Sequence, residues 1–280
     1  RLLDEAQEKG EFDLIEEFAA AIPVEVIGNL LGIPPVERGP LRGWSLAILG
    51  ALEPRISDTV RARANEAVEA FSSYLTDLIA DRRQRLVLDG SDALSLLIDA
   101  PGQIPLTDEE LVHNAIFLLN AGHETTTNLI GNGIVALLEH PGEWQRFLAN
   151  PALVGPAVEE LLRFESSNQL GNRLLTGDLV LGDRTLAAGT SVVLGIGAAN
   201  RDPAQFADPD RLDIGRQPNR HLAFGLGIHA CAGMNLARLE GRIAIGRLVG
   251  RFPRLRIAGP PVRGGRARFR GFLSVPVAVD

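Results

Sequence analysis

Through its first half the chain repeats apolar positions every three or four residues, the period of a helix that buries one face. Phe12 to Leu31 carries this pattern with an interruption at Pro23, and Pro34-Pro35 ends it. Thr59 to Leu86 reads as a long amphipathic helix. Val60, Ala67, Phe71, Tyr74, Leu75 and Leu78 lie on one side and Arg61, Arg63, Glu66 and Asp77 on the other. Asp89-Gly90 reads as a loop, and Ala93 to Ile98 as a short helix. Thr107-Asp108-Glu109-Glu110 is a capping box, in which a hydroxyl and a carboxylate satisfy free amides at a helix start. The apolar pattern then runs from Leu111 to Leu138 and stops at His140-Pro141-Gly142. That is about 32 residues, or roughly 48 Å at 1.5 Å per residue, enough to cross a domain.

The middle of this longest helix breaks its own rule. Ala121-Gly122-His123-Glu124-Thr125-Thr126-Thr127 places a glycine, a carboxylate and three threonines where the helix should be most buried. Such local conflicts mark functional sites. A shorter helix is expected from Pro156 to about Glu165. The period then changes to two. Arg173-Leu174-Leu175, Leu179-Val180-Leu181, Arg184-Thr185-Leu186 and Ser191-Val192-Val193-Leu194 read as short strands separated by Gly-Asp and Ala-Gly turns. Residues 200 to 230 are rich in Pro, Gly and Asp and read as irregular. A helix from about Cys231 to Phe252 and strands around Arg268 to Val279 close the pattern. The order predicts a mainly helical, α+β single domain over residues 1–280, without βαβ alternation.

Composition narrows the function classes. The chain has 280 residues, 45% of them hydrophobic and 22% charged, which fits a globular protein and not a disordered one. A net charge of -7 argues against a general nucleic-acid binder. Lys9 is the only lysine, a skew that suggests high-GC bacterial coding. No apolar run of about 18 residues occurs, so no membrane span is expected. The chain opens at Arg1 with a helical pattern already running, so a front portion is expected to be missing.

One cysteine, Cys231, excludes an intrachain disulfide. It sits in Phe224-Gly225-Leu226-Gly227-Ile228-His229-Ala230-Cys231-Ala232-Gly233, a glycine-rich loop that delivers a thiol to the start of a helix. Helix-start amides favour thiolate over thiol. Gly225, Gly227 and Gly233 let the backbone approach a large flat partner. From the residues alone three readings stand: a buried free cysteine acting as a small hydrophobe, a nucleophile with His229 or His221 as base, and, more weakly, a zinc ligand lacking paired spacing.

The ten residues Phe224 to Gly233 resemble the haem-ligand loop of cytochromes P450, Phe-x-x-Gly-x-His-x-Cys-x-Gly. Three further segments follow in the family's order. Ala121-Gly122-His123-Glu124-Thr125-Thr126 resembles the oxygen-activation motif, and Glu160-Leu161-Leu162-Arg163 the Glu-x-x-Arg pair. Asn200-Arg201-Asp202-Pro203, with Phe206 and Asp208-Pro209-Asp210-Arg211-Leu212, resembles the segment carrying the third member of that polar triad. The resemblance covers nearly the whole chain and is to the soluble bacterial type, with the family's front region absent.

The resemblance implies a P450-like helical fold with small sheets and a haem-thiolate monooxygenase. Such an enzyme inserts one atom of O2 into an apolar small molecule. Haem b would be held through the Cys231 thiolate, which in this family favours O–O cleavage. Glu124 and Thr125 would be catalytic, relaying protons beside a hydroxyl that opens the helix. Arg173 and His229 would bind haem propionates. Phe224, Gly225, Gly233 and Ala121 would line the cofactor. Glu160, Arg163 and Arg211 would form a buried structural network holding the Cys loop. Phe117, Asn120, Ala121 and Gln169 would line the substrate pocket. His123 is expected as a pocket or groove residue, and His113, His140 and His221 at the surface.

A ferredoxin or flavodoxin-type electron donor with its reductase would be the partner. Arg220, Arg238 and Arg242 are candidates for its docking face. The expected setting is cytoplasmic, with no nucleic acid and no membrane segment. The alternative is a truncated, inactive fragment, haem-binding or haem-free; a peroxide-driven variant is a third option.

Overall fold

One long helix organises the chain, and its two halves belong to two different cores. The computed structural model describes residues 1–85, 92–99 and 105–279. α1 (Leu2–Lys9) leads into β1 (Glu11–Asp13) and a π-helical stretch, Leu14–Ala19. α2 (Ala21–Leu30), α3 (Leu41–Gly50), α4 (Asp58–Arg85) and α5 (Ala93–Ile98) precede α6 (Asp108–Glu139). α7 (Pro141–Ala149) and α8 (Val154–Phe164) follow, then β2 (Leu170–Leu174), β3 (Leu179–Leu181), β4 (Arg184–Leu186) and β5 (Ser191–Gly195). After a single turn, α9 (Ile196–Ala199), the chain is largely irregular up to α10 (Met234–Arg251). β6 (Arg256–Ile257), β7 (Val262–Arg263), β8 (Phe272–Ser274) and β9 (Pro276–Ala278) complete it.

α6 begins as its sequence dictates. Thr107 Oγ1 accepts from the Glu110 amide at 3.2 Å, and Glu110 Oε2 accepts from the Thr107 amide at 2.8 Å. Its first half, with Leu111, Ala115 and Leu119, packs with Ile27 and Leu31 of α2 and its exit, and with Phe71 and Leu75 of α4. Its second half, from Leu129 to Leu137, packs with Ile15 and Phe18, with Leu161 of α8, and with Ile245 and Leu248 of α10. Residues 120 to 128 lie between the two apolar clusters. The polar middle of the helix is therefore the seam of the molecule.

The sheets are small and antiparallel. β9 lies between β1 and β6, pairing Phe12 with Val277 and Ile257 with Val277. β2 pairs with β5, β3 with β4 and β7 with β8. The expected strands at 179–181 and 184–186 form as read, and α5 spans the expected residues.

Several expectations differ. The Phe12 to Leu31 pattern is not one helix broken at Pro23. It is a strand, a π-helical stretch and α2, and Pro23 falls in the first turn of α2, where its missing N–H costs nothing. Pro141 ends α6 but also opens α7. The last helix starts at Met234, three residues beyond Cys231. The expected end of the α4 helix at Leu86 and the Asp89-Gly90 loop lie outside the described residues. Among the described residues no helix is long and apolar enough to cross a membrane.

Candidate functional site

Glycines set how α6 meets α10. A Cβ on Gly241 would lie 3.0 Å from Leu129, and one on Gly133 would lie 3.3 Å from Ile245. The pairing rises together along both helices, so they run in the same direction. One turn toward their N-termini, Thr125 and Ala237 are only half-buried; two turns back, Ala121 and Gly233 are exposed. The helices therefore part at the end where Cys231 precedes α10 and the glycine-threonine segment crosses.

The Cys231 loop is a tight reversal. The Cys231 amide donates to the Phe224 carbonyl at 2.8 Å. Gly225 has φ 71°, and a Cβ there would press on the His229 carbonyl at 3.1 Å. Cys231 is a half-buried free thiol, and a Cβ on Gly233 would lie 3.9 Å from its sulfur. Phe224 packs under the Arg238 guanidinium, 4.7 Å from the ring centre. His229 is exposed, and Ile228 beside it is 98% exposed. Arg173 is half-buried on β2 and donates from Nη1 to the Asn172 carbonyl at 2.8 Å. Among the described residues no group of three or more His, Cys, Asp or Glu could hold a metal ion. The donor set is thus a single soft thiol on an open glycine loop, with Arg173 and His229 as candidate cations for carboxylates. That set fits a haem held through a thiolate.

α6 runs through its glycine-threonine segment without a break. The threonine hydroxyls bond back to the helix: Thr125 Oγ1 donates to the Ala121 carbonyl at 2.7 Å, and Thr127 Oγ1 to His123 at 3.0 Å. The expected opening at Thr125 is a second donor on one carbonyl, not a ruptured ladder. Glu124 is buried. Arg266 Nη1 donates to its Oε1 at 3.3 Å, and Asn128 Nδ2 lies 3.5 Å from the same oxygen. Burial pushes the Glu124 carboxyl above its ordinary range, against the pull of Arg266 and Arg42.

His123 faces the other way. It is fully buried with Nδ1 3.1 Å from Ser45 Oγ of α3, and burial pushes its pKa down to about 3. It is a neutral core histidine, not a groove residue, because position 123 lies on the α3 side of the helix.

The polar network on α8 forms, with one substitution of role. Arg163 grips Glu160 through Nε and Nη2, both at 2.8 Å, and both side chains are 0% exposed. The third cation is Arg216, not Arg211: Arg216 Nε lies 3.1 Å from each Glu160 oxygen. Arg211 is exposed and contributes only its carbonyl, which accepts from Arg216 at 3.0 Å and Arg163 at 3.3 Å. The Asp213 amide and Asn219 Nδ2 complete the shell of Glu160 at 3.0 and 3.1 Å.

Next to it, Glu159 accepts from Arg238 Nε at 2.8 Å and lies 3.1 Å from His221 Nε2. Burial raises the Glu159 pKa, but those hydrogen bonds outweigh it and hold the pKa at about 2. His221 is therefore a buried loop anchor, where a surface position was expected, and Arg238 is committed to Glu159 and Phe224. Of the three docking arginines, Arg220 and Arg242 remain exposed.

The pocket candidates divide. Phe117 is 68% exposed on the stripe that continues through Ala121 and Thr125. Asn120 is buried and donates to the Ile116 carbonyl at 2.8 Å. Gln169 donates to the Ser166 carbonyl at 2.6 Å, and its amide N–H donates to the Arg268 carbonyl at 2.8 Å. Sequence reading missed Arg216, Glu159, Arg266 and Glu53. Each acts across more than 50 residues of chain, and only the arginine-rich Arg266 to Arg270 run could have drawn the eye.

Comparison with known proteins follows from this geometry. The cytochrome P450 family model matches residues 51–150 and 145–257. The biotin biosynthesis cytochrome P450 of Bacillus subtilis is 39% identical over 257 residues, covering 92% of this chain and 64% of that protein. Vitamin D(3) 25-hydroxylase of Pseudonocardia autotrophica is 44% identical, covering 89% of this chain and 60% of that protein. The crystal structure of P450BioI in complex with hexadec-9Z-enoic acid ligated acyl carrier protein superposes with a TM-score of 0.93 at 38% identity, covering 100% of this chain and 72% of that one. A myxobacterial cytochrome P450 in complex with myristic acid gives 0.91 at 40% identity, with 100% and 69% covered. The chain thus spans a little under two thirds of these two curated relatives.

Proposed function

The chain belongs to the cytochrome P450 family, and on that premise we propose that it serves a haem-thiolate monooxygenase that inserts one atom of O2 into an apolar small molecule. The observation that carries this reading is that α6 and α10 pack closely at Gly133 and Gly241, while toward Cys231 the same faces turn half-buried at Thr125 and Ala237 and exposed at Ala121 and Gly233.

In this reading Cys231 Sγ would hold the iron of haem b, and His229 and Arg173 would hold its carboxylates. Phe224, Gly225, Gly233 and Ala121 would line the cofactor. When bound, the haem supplies activation of O2. Glu124 takes up and passes on a proton at its carboxyl, whose affinity for one is raised by burial against the pull of Arg266 and Arg42. Thr125 spends its own hydroxyl proton on the Ala121 carbonyl, so its oxygen faces outward as an acceptor that orients a proton-carrying water. The Glu160, Arg163 and Arg216 network keeps the segment leading to the Cys loop in place. Phe117, Asn120, Ala121 and Gln169 line the substrate side. The acyl ligands of the two related structures agree with an apolar substrate. Electrons come from a ferredoxin or flavodoxin-type donor with its reductase, in the cytoplasm.

The test is the spectrum of the haem-loaded, reduced protein with CO. A strongly red-shifted Soret band is expected, and Cys231→Ser should abolish it. No haem spectrum after reconstitution would overturn the reading for this chain. A second reading, an inactive fragment, draws on the coverage of relatives and on Ile228, Leu226 and Phe117, which are large, apolar and exposed. It predicts haem loss from this chain and haem retention by a longer product of the same gene.

A further inference from the structure

Charged groups reach Glu124 from two elements besides its own. Arg266, in the segment before β8, donates from Nη1 to Glu124 Oε1 at 3.3 Å and from Nη2 to the Leu46 carbonyl of α3 at 3.0 Å. Arg42 of α3 acts through space and is itself paired with Glu16. On α6, Asn128 lies near the same Oε1, and His123 faces Ser45. Among the described residues no hydrogen bond falls on Glu124 Oε2.

Arg266 is anchored, not loose. The carboxylate of Glu53 accepts from the amides of Ala267, Arg268 and Phe269 at 2.8, 3.1 and 3.3 Å. On the other side Asn132 Nδ2 donates to the Arg270 carbonyl at 2.9 Å, and Gly271 passes so close to Asn128 that a Cβ would collide with its amide. Glu124, Asn128 and Asn132 are one turn apart, so a buried polar stripe of α6 grips residues 266 to 271 in register. The backbone just after Arg266 is thereby held from two sides and the Arg266 guanidinium by Leu46 and Glu124, with 17% of the side chain exposed.

We propose that Arg266 is the positioning residue for Glu124: it ties down Oε1 and leaves Oε2 as the oxygen through which protons pass. The proposal rests on the reading of Glu124 as a proton relay. The C-terminal segment thereby reaches the reaction side, because Arg268 two residues on donates to the Leu170 carbonyl and to Asn172 Oδ1, at 2.9 and 3.2 Å, on β2. Loss of Arg266 removes the nearest cation and leaves burial opposed only by Arg42 and Asn128.

The test titrates the carboxyl of Glu124 directly, by infrared difference spectra of the whole chain, assigned by the band that Glu124→Gln removes. Arg266→Gln should move the midpoint upward by about one pH unit, a tenfold change in proton affinity. Arg266→Lys, which keeps charge without the planar fork, should cut that shift to about half and not abolish it. Should Arg266→Gln lose its folded circular dichroism, Arg266→Lys alone carries the test through a smaller upward shift. A midpoint that moves by less than about 0.2 unit in the folded variants overturns the proposal. The pH profile of turnover in the haem-loaded enzyme separates the two ideas. A shifted titration with unimpaired turnover in Glu124→Gln sinks the relay and keeps the positioning. An unshifted titration with turnover lost in Glu124→Gln does the reverse.

Discussion

Glu160 and Glu124 are both buried carboxylates on helices, and both meet arginine, yet they are built for opposite ends. Glu160 has both oxygens saturated: Arg163 twice, Arg216 across both oxygens, the Asp213 amide and Asn219. Glu124 has two long contacts, both on Oε1, and 10% of its side chain still meets solvent. A charge whose lone pairs are all taken holds structure and has nowhere to put a proton. A charge with a free oxygen at the edge of water can exchange one. On the reading proposed for Glu124, the number of donors, more than burial or the presence of arginine, would separate a fastening from a relay.

The sharpest way to break this contrast is to remove each carboxylate and measure urea unfolding. Glu160→Ala strands Arg163 and Arg216 and is expected to cost ~3–5 kcal/mol, whereas Glu124→Gln should stay within ~1 kcal/mol of the parent. Equal losses would erase the distinction. A smaller effect tests the reassigned third cation. Arg216→Ala should cost ~1.5–3 kcal/mol, as for hydrogen bonds to a charged partner, and Arg211→Ala no more than ~0.5 kcal/mol. The reverse order would restore Arg211 to the network.

The smallest effect has opposite signs in the two regions. Glu159, beside Glu160, has its pKa held at about 2, below its ordinary 4.5. Its contribution is present above 4.5 and is lost as pH falls toward 2. Glu124 has a raised pKa, so its contribution is full below 4.5 and is lost as pH rises through its folded value. Thermal midpoints across pH should therefore flatten on the acid side for Glu159→Gln and on the neutral side for Glu124→Gln. Since Glu159 is only half-buried, its change should be under ~1 kcal/mol after solvent screening. Matching slopes in both variants would contradict the assignment of the two environments.

What could be read from the chain was what its local chemistry states. The capping box at Thr107, the alternation at 179–186 and the glycine loop around Cys231 each carry their geometry in neighbouring residues. α3 was not read at all, because Gly43 and Gly50 dilute its apolar face. α7 was hidden by Pro141, which the eye takes as a stop although proline is also a good first residue. Arg216 and Arg211 lie five residues apart in irregular backbone, where no period says which side chain turns inward. Glu53 and Arg266 find their partners from more than 140 residues away, and nothing near them in the chain announces it.

Gly241 is worth a last look as a fulcrum. With no side chain there, α10 lies almost directly on Leu129 of α6 and Val158 of α8. An alanine at 241 would act as a wedge against Leu129 and Val158, so that α10, with the Cys231 loop running into its start, would have to give way by a few tenths of an ångström.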